Sequence, residues 1–473
     1  MERIISSDGH RATIRWRGVL NDSKGNSVSY IGVEWDEKGR GKHNGEFRGK
    51  KLFNVSTPNS GSFLRYGTFQ EGTELSNVIK DHPCSGGFLS IDSTNVERVG
   101  NITEFAKPIK IVNASNTLVG SSQFIWDLLD IKNSIIDTIY LGNVFFVEFP
   151  KTDKKYNLKE IYVNNTNINE EQTKMLLEAF PELELIDISF DFKPSLFLFS
   201  GYDNLKEIHI DGVNIDDFDW VSKIVGGLQN LEVLSLCNNQ IFKINYTKNT
   251  FLKLKVLILK SNKISGLFEL DGISSFTKIE DLEIQRNTIQ EKMGEVEARL
   301  LCIARFPMLK KLNGSLISPS ELKESELQYL EYFSKDVLLQ GTNNHPRWNE
   351  LCAKYGSPCI KYENIQQKKR VEITFVYENQ TIKKTIPLSM KIGTLTSHVA
   401  RMFKIQGTEI ELAIQTGVYK SSLTYPEQTL NDVGCNDESI IFASKIGCMN
   451  LDENQQAKSF KIRSISHQIQ NGI

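Results

Sequence analysis

The sequence predicts a multidomain chain: a small all-β domain first, an α/β solenoid of repeats in the middle, and a β-grasp fold near the C-terminus. Three observations carry this. Residues 1–70 hold short apolar runs between glycine-rich turns, residues 136–314 repeat one leucine-spaced pattern, and residues 371–443 read as hairpin, helix and further strands. The length of 473 residues suits several domains of roughly 100–200 residues each. The expected bounds are 1–72 for the all-β domain, 73–135 for a connector and solenoid N-terminal cap, and 136–334 for repeats with a C-terminal cap. A linker at 335–369, a β-grasp domain at 370–446 and a flexible tail at 447–473 complete the expected chain.

In the first segment, Ile14 to Val19, Val28 to Trp35 and Lys51 to Val55 alternate as strands, separated by turn-forming Asn, Asp, Ser and Gly. Residues 1–70 carry 12 Lys/Arg against 7 Asp/Glu, in a chain of net charge −2. A basic module on a near-neutral chain points to an acidic ligand for that module alone. The balanced whole disfavours nucleic acid as a partner. No run approaches 18 apolar residues, and Met1 to Ile5 lacks the apolar core of a leader. Seven cysteines are scattered without a CxxC pair, so neither a disulfide framework nor a zinc site is expected. The expected setting is cytoplasmic, with no membrane partner.

The middle segment repeats with start-to-start spacings of 22 to 26 residues. Its best copy, Leu231-Glu-Val-Leu234-Ser-Leu236-Cys-Asn-Asn239-Gln-Ile241, fits the leucine-rich pattern LxxLxLxxNxI throughout. Further copies start at Ile136, Leu158, Leu183, Leu205, Leu254 and Ile279. Alternation turns the leucines of each short strand inward, and the Asn side chain is expected to bond the turn that follows. One copy cannot bury its apolar edge alone, so the copies stack into a leucine-rich-repeat solenoid. Asn169 followed by Gln172 reads as a capping box opening a helix, and Gly294 to Phe306 reads as another helix. After 370, Val371 to Tyr377 and Ile382 to Leu388 form the hairpin, Thr394 to Phe403 the helix, and 411–415 and 438–442 the later strands.

GxxxxGK[ST], HExxH, GxSxG and a strand-borne GxGxxG are all missing. A non-enzymatic protein without cofactor or metal is expected.

Gly32-Val-Glu-Trp-Asp36, Gly41-Lys-His-Asn-Gly45 and Gly61-Ser-Phe63 resemble the CAP-Gly family of cytoskeleton-associated proteins, whose defining loop reads GKNDG. That resemblance implies a small β-fold binding acidic C-terminal tails that end in an aromatic residue, notably the tail of α-tubulin. The last module resembles ubiquitin-like domains. No Gly-Gly pair follows its final strand, so binding rather than conjugation is expected. The order of the three modules resembles the tubulin-folding cofactors. This implies a cytoskeleton-associated chaperone of α-tubulin that works with the other tubulin-folding cofactors to assemble or dissociate αβ-tubulin heterodimers. A sister cofactor, the proteasome or a ubiquitin receptor would dock on the ubiquitin-like module. Two other readings stay open: a microtubule-binding adaptor and a ubiquitin-pathway adaptor. An adaptor of the first kind co-sediments with microtubules; a chaperone stays with soluble tubulin.

Candidate tail-binding residues are Gly41, Lys42, His43, Asn44 and Gly45, with Trp35, Phe53 and Phe63 as an aromatic floor. Lys42 supplies a cation and the glycines admit a ligand close to backbone N–H groups. His43 stands where the family has Asn and presents its donor and acceptor in a different geometry. On the solenoid, the positions between inward leucines carry Asp137, Glu160, Glu184, Asp187, Glu207, Glu232, Glu280, Asp281 and Glu283 against Lys159, Lys206 and Lys255. An acidic concave face suited to a basic patch on a client is expected. Removing residues 1–71 is expected to leave the remainder folded.

Overall fold

The computed structural model describes residues 2–21, 25–80, 86–196, 198–245, 249–358, 370–405, 410–416, 419–437 and 439–445. The expected tail 447–473 and the charged boundary at 366–369 lie outside the described residues. The chain forms two compact units, Met1–Pro358 and Cys359–Ile473.

The first unit opens with a five-stranded antiparallel sheet in the order Gly61–Arg65, Ser27–Trp35, Arg11–Asn21, Arg3–Ser6 and Phe69–Glu71. Alternation along these strands sends Ile4, Ala12, Ile31, Val33 and Trp35 into one small core. The expected strand Lys51–Val55 does not form. Pairing stops at Lys50–Lys51, and the chain bends so that Phe53 is buried.

Next comes an eleven-stranded sheet, parallel except for its last pair, running from Phe88–Ser90 to Ser315–Leu316. Register advances one coil at a time: Ile161, Ile186, Ile208, Leu234, Leu257 and Leu282 pair in sequence and are fully buried. The repeat asparagines do more than serve the next turn. Asn262 Oδ1 accepts the Ile241 N–H of the preceding coil at 3.0 Å, while Nδ2 donates to Leu236 O (2.9 Å) and Leu259 O (3.1 Å). Asn239 and Asn287 bridge coils in the same way.

Two coils precede the expected start at 136, so residues 73–135 are less a connector than part of the repeat array. Phe88–Ser90 and Glu104–Asn113 already pair in parallel. These coils depart from the leucine spacing, with Gly86 where the first would open on leucine and Ala114 at an inward position of the second, and Thr94 and Thr117 stand in place of Asn. Each threonine hydroxyl still donates to the carbonyl three residues back, Ile91 O and Ala114 O, both at 2.7 Å. The asparagines make that same bond, Asn239 Nδ2 to Leu236 O for example. In the coil beginning at Leu183 the position falls to Asp191, whose carboxylate accepts the Thr166 N–H at 2.8 Å. Burial pushes its pKa up to about 7. The folded-state value lies above the unfolded one, so burying the charge costs stability above pH 7 and ceases to do so as pH falls through the carboxylate range. Asp191→Asn should therefore stabilise the unit by about 1–2 kcal/mol at pH 8 and by much less at pH 4, measured as urea midpoints.

The far end is closed by helices. Ser318 caps the helix Pro319–Gln340 by accepting the Glu321 N–H. A second helix, Trp348–Tyr355, places Trp348 and Leu351 in the same core as the repeats. Residues up to 355 thus belong to the cap, not to the expected linker. Buried Glu326 locks the pair by accepting from Arg347 (2.7 Å), Lys354 (2.6 Å) and Tyr355 (2.7 Å).

The N-terminal sheet is fastened to the solenoid. Arg3 N–H donates to buried Glu97 at 2.9 Å, and the Arg3 guanidinium makes two 2.6 Å bonds to Asp36. Arg11 reaches two solenoid carbonyls, Asn143 O and Asn116 O, both at 2.7 Å.

The second unit is a mixed five-stranded sheet in the order Gln380–Pro387, Arg370–Tyr377, Ile440–Lys445, Ile410–Thr416, Tyr419–Ser422. The helix Ile392–Met402 buries Ile392, Leu395 and Val399 in that unit's own core. Hairpin, helix and a central parallel pair between first and last strands make this the β-grasp fold.

Candidate functional site

The glycine loop 41–45 is shaped from beneath by the segment 56–61. Glu34, almost buried, accepts from Arg15 Nε at 2.9 Å and from the Thr57 N–H at 3.1 Å, and it also holds Ser56 and Ser60. Burial alone would raise the Glu34 pKa, but these donors hold it below the usual carboxylate range. The segment so fixed takes the loop edge to edge. Lys42 N–H donates to Gly61 O at 2.8 Å, Gly61 N–H donates to His43 O at 2.9 Å, and Asn59 N–H donates to Asn44 Oδ1 at 2.6 Å. Gly41 lies so close to this segment that a Cβ would stand 2.2 Å from the Ser60 carbonyl carbon. Gly45 has φ +93°, with no room for a Cβ against Phe53 O. Both glycines are required by the close approach of the protein's own backbone.

Above the loop lies an open groove of about 500 Å³, lined by Ser6, Ser7, Asp8, Trp35, Arg40, Lys42, His43, Ser62, Phe63, Leu64 and Thr68. The expected site residues divide here. Lys42, His43 and Phe63 face the groove, and Phe63 is half-buried. Trp35 is 7% exposed, borders the groove, and donates Nε1–H to Ser62 Oγ at 2.9 Å. Phe53 is no part of the floor. It is 6% exposed and supports Phe63 from below, ring centroids 5.5 Å apart. Asn44 is committed to Asn59. Lys42 makes no ion pair among the described residues, whereas neighbouring Arg40 is engaged by Asp8 and stacks on Trp35. Arg40, the hairpin 6–8 and Glu34 went unread in the sequence, since each acts through a contact distant along the chain.

Residues 1–69 match the model of the CAP-Gly domain family. Tubulin-specific chaperone E of Xenopus laevis is 24% identical over 88% of this chain and 92% of its own length. Tubulin-folding cofactor E of Arabidopsis thaliana is 22% identical over 94% and 97%. The chain is similar to tubulin-specific chaperone E along nearly its whole length. A solution structure of the C-terminal ubiquitin-like domain of mouse tubulin-specific chaperone E aligns with 18% of this chain and 93% of that domain, at 14% identity and a TM-score of 0.16. The N-terminal sheet lies within the residues that match the CAP-Gly model, the repeats are leucine-rich and the second unit has the β-grasp topology, the architecture that the sequence predicted. No helix among the described residues is long and apolar enough to cross a membrane.

The acidic concave face needs correction. Its first row alternates in sign from coil to coil: Asp137, Lys159, Glu184, Lys206, Glu232, Lys255, Glu280, Lys310, each joined to the next by a backbone hydrogen bond. Side chains pair along it, Lys206 with Glu184 at 2.6 Å, Lys255 with Glu232 and Lys310 with Glu280 at 2.7 Å, and Lys110 with Asp137 at 3.2 Å. Asp281 is answered by Lys311 at 2.9 Å and Glu283 by Lys260. Lys110, Lys260, Lys310 and Lys311 stand just outside the positions counted in the sequence, and they cancel much of the expected field. Among the described residues no lysine or arginine pairs with Glu160, Asp187 or Glu207, on the strands that carry the stacked rings of Tyr140 and Tyr162, 4.3 Å apart, and on their neighbours. His209 bonds Glu207 at 2.7 Å. Burial would lower the His209 pKa, but Glu207 and its acidic neighbours raise it above the usual value.

Proposed function

We propose that this chain is a tubulin-folding chaperone that captures the acidic C-terminal tail of α-tubulin in the groove of its CAP-Gly domain. It would act with other tubulin-folding cofactors on the assembly or dissociation of αβ-tubulin heterodimers. The observation that carries this is the groove itself: an ammonium without a partner among the described residues, Lys42, beside a half-buried aromatic, Phe63, on a rigidly supported glycine loop. The names of the relatives supply the client. Glu160, Asp187 and Glu207 with the tyrosine stack offer a second, weaker contact for the client's body, and the ubiquitin-like unit offers one for a further protein. Because the CAP-Gly domain is fastened to the solenoid, two modest contacts would act at a set spacing and reinforce each other.

Titrating the full chain with an acidic peptide ending in tyrosine tests this. Lys42→Ala should weaken binding about five- to thirtyfold, as expected for one partly exposed charge-assisted hydrogen bond of ~1–2 kcal/mol. The melting temperature should not move. Added salt should weaken the complex, and removing the terminal tyrosine should weaken it further. Equal affinity for both peptides, with no effect of Lys42→Ala, would exclude the groove as the tail receptor.

A further inference from the structure

Just past each concave strand the chain enters the left-handed region, and the residues that do so form a row. Each N–H in the row bonds the carbonyl just before the next member: Asn116, Asn143, Asn165, Phe190, Gly212, Asn238, Ser261. Their φ values lie between +55° and +66°. Asparagine and glycine tolerate that conformation, whereas a bulky aromatic is an outlier there. Up to Phe190 the side chains form a ladder. Asn165 Nδ2 donates to Asn143 Oδ1 at 2.8 Å, and Asn143 Nδ2 to Asn116 Oδ1 at 3.2 Å. Phe190 breaks it. Its ring lies over Gly212, where a Cβ would stand 2.3 Å from Phe190 Cδ1, and it is still 50% exposed. Backbone strain and a glycine in the next coil thus hold an aromatic face out to solvent, a combination typical of ligand clamps. Beside it, Asp187 Oδ1 accepts the Ser189 N–H at 3.0 Å, which turns this carboxylate toward the row. The other Asp187 oxygen has no partner among the described residues.

We propose that Phe190 and Asp187 form a docking site for an arginine on the body of the client: the guanidinium stacks on the exposed Phe190 ring and donates to the free oxygen of Asp187. This rests on the tubulin-chaperone reading and gives the weaker solenoid contact its anchor. A flat aromatic face next to a carboxylate matches both properties of a guanidinium, its delocalised plane and its fixed fork of donors. A lysine ammonium would match only the charge. The surroundings set the sign of the partner. Glu160, Asp187 and Glu207 have no lysine or arginine partner among the described residues, so this face attracts a cation and repels a phosphate or an acidic segment. A ring already held in place loses little freedom on binding, as suits an interface anchor. Asparagine at position 190 would continue the ladder and relieve the strain. The fold alone therefore favours asparagine, and the aromatic serves contact.

The test measures binding of the full chain to tubulin heterodimers whose acidic tails have been removed by proteolysis, so that the N-terminal groove plays no part. Phe190→Asn should weaken this binding about three- to tenfold, the scale of one cation–π contact, while the melting temperature stays level or rises. Phe190→Tyr, which keeps the ring, should bind as the wild type does. Asp187→Asn keeps an acceptor for the Ser189 N–H and should weaken binding to a similar degree. The double variant should lose less than the product of the two effects, because both residues act on one guanidinium. Unchanged binding in Phe190→Asn, or effects of the two variants that simply multiply, would overturn the inference. If intact tubulin binds the wild-type chain and tail-less tubulin does not, the inference falls and the tail reading stands. If neither form binds, the chaperone reading itself falls and the docking site with it.

Discussion

Arg3→Met should lower the stability of the first unit by about 3–5 kcal/mol, the usual cost of removing one partner from a buried ion pair. Arg3 is among the largest fully buried side chains of the protein. Its guanidinium binds both oxygens of Asp36 and the Thr13 hydroxyl at 2.9 Å, and its stem lies against Gly120 of the solenoid, where a Cβ would stand 3.1 Å from Arg3 Cδ. Methionine keeps much of the stem and so isolates the loss of charge. It leaves the Asp36 carboxylate without its partner, which drives the effect. Replacing both, Arg3→Met with Asp36→Asn, should restore more than half of the lost stability, because the uncompensated charge is gone. Urea unfolding of the two variants measures this. A loss below about 1 kcal/mol for the single variant would show that the pair is solvated and contributes little.

The same junction revises the expectation that the chain beyond residue 71 stands alone. A truncated chain would expose Glu97, which accepts the Arg3 N–H, and would free the Gly72 N–H from Arg3 O at 2.8 Å. It would also take the Arg11 guanidinium away from the carbonyls of Asn116 and Asn143. The truncation should therefore lower the solenoid's own melting temperature. The expectation of independence treated the two folds as beads, and nothing local marks Arg3 or Arg11 as a fastener.

What could be read from residues alone follows the range of the interactions involved. The leucine repeats were legible because a strand of three residues and a turn recur within one window, so Leu231, Leu234, Leu236 and Asn239 announce a complete coil. The capping box at Asn169 was legible for the same reason, and both of its bonds are present, at 2.9 and 3.0 Å. The loop 41–45 could be recognised by its residue types. Its support could not, since Glu34 and the segment 56–61 meet it only after folding. The charge on the concave face was misjudged because several of its acids are answered by lysines outside the counted positions, as Glu280 is by Lys310 and Asp281 by Lys311. The two earliest coils break the leucine spacing at Gly86 and Ala114, and in them threonine performs half of the asparagine's work.

That half-and-half division sets the second large effect. Asn262→Ala should cost about 2–4 kcal/mol, and Asn262→Thr about half as much. Asn262 is 4% exposed and spends every polar atom between coils. The carbonyls it serves are not orphaned by its loss, since Leu236 O still receives Asn239 Nδ2 at 3.1 Å and Leu259 O still receives Asn287 Nδ2 at 2.8 Å. The Ile241 N–H has no such reserve: Oδ1 of Asn262 is its acceptor, and Ile241 is fully buried. A buried N–H left without an acceptor costs about 1–3 kcal/mol by itself, and the vacated volume adds to that. Threonine at this position would regain the bond to Leu259 O, as Thr166 does with Val163 O at 2.6 Å. Its shorter side chain would still leave Ile241 unanswered. In the coil of Thr166 the corresponding donor, the Phe146 N–H, is taken by the adjacent Asn167 at 2.8 Å, and the residue after Asn262 is Lys263, which cannot accept. Amide hydrogen exchange should show the same order, with the Ile241 amide losing its protection in both variants while the Leu259 amide, bonded to Glu283 O, keeps most of its own in Asn262→Thr. Equal stability of the Ala and Thr variants would mean that the carbonyl bonds contribute nothing, and an unchanged Ile241 amide would mean that water replaces the side chain.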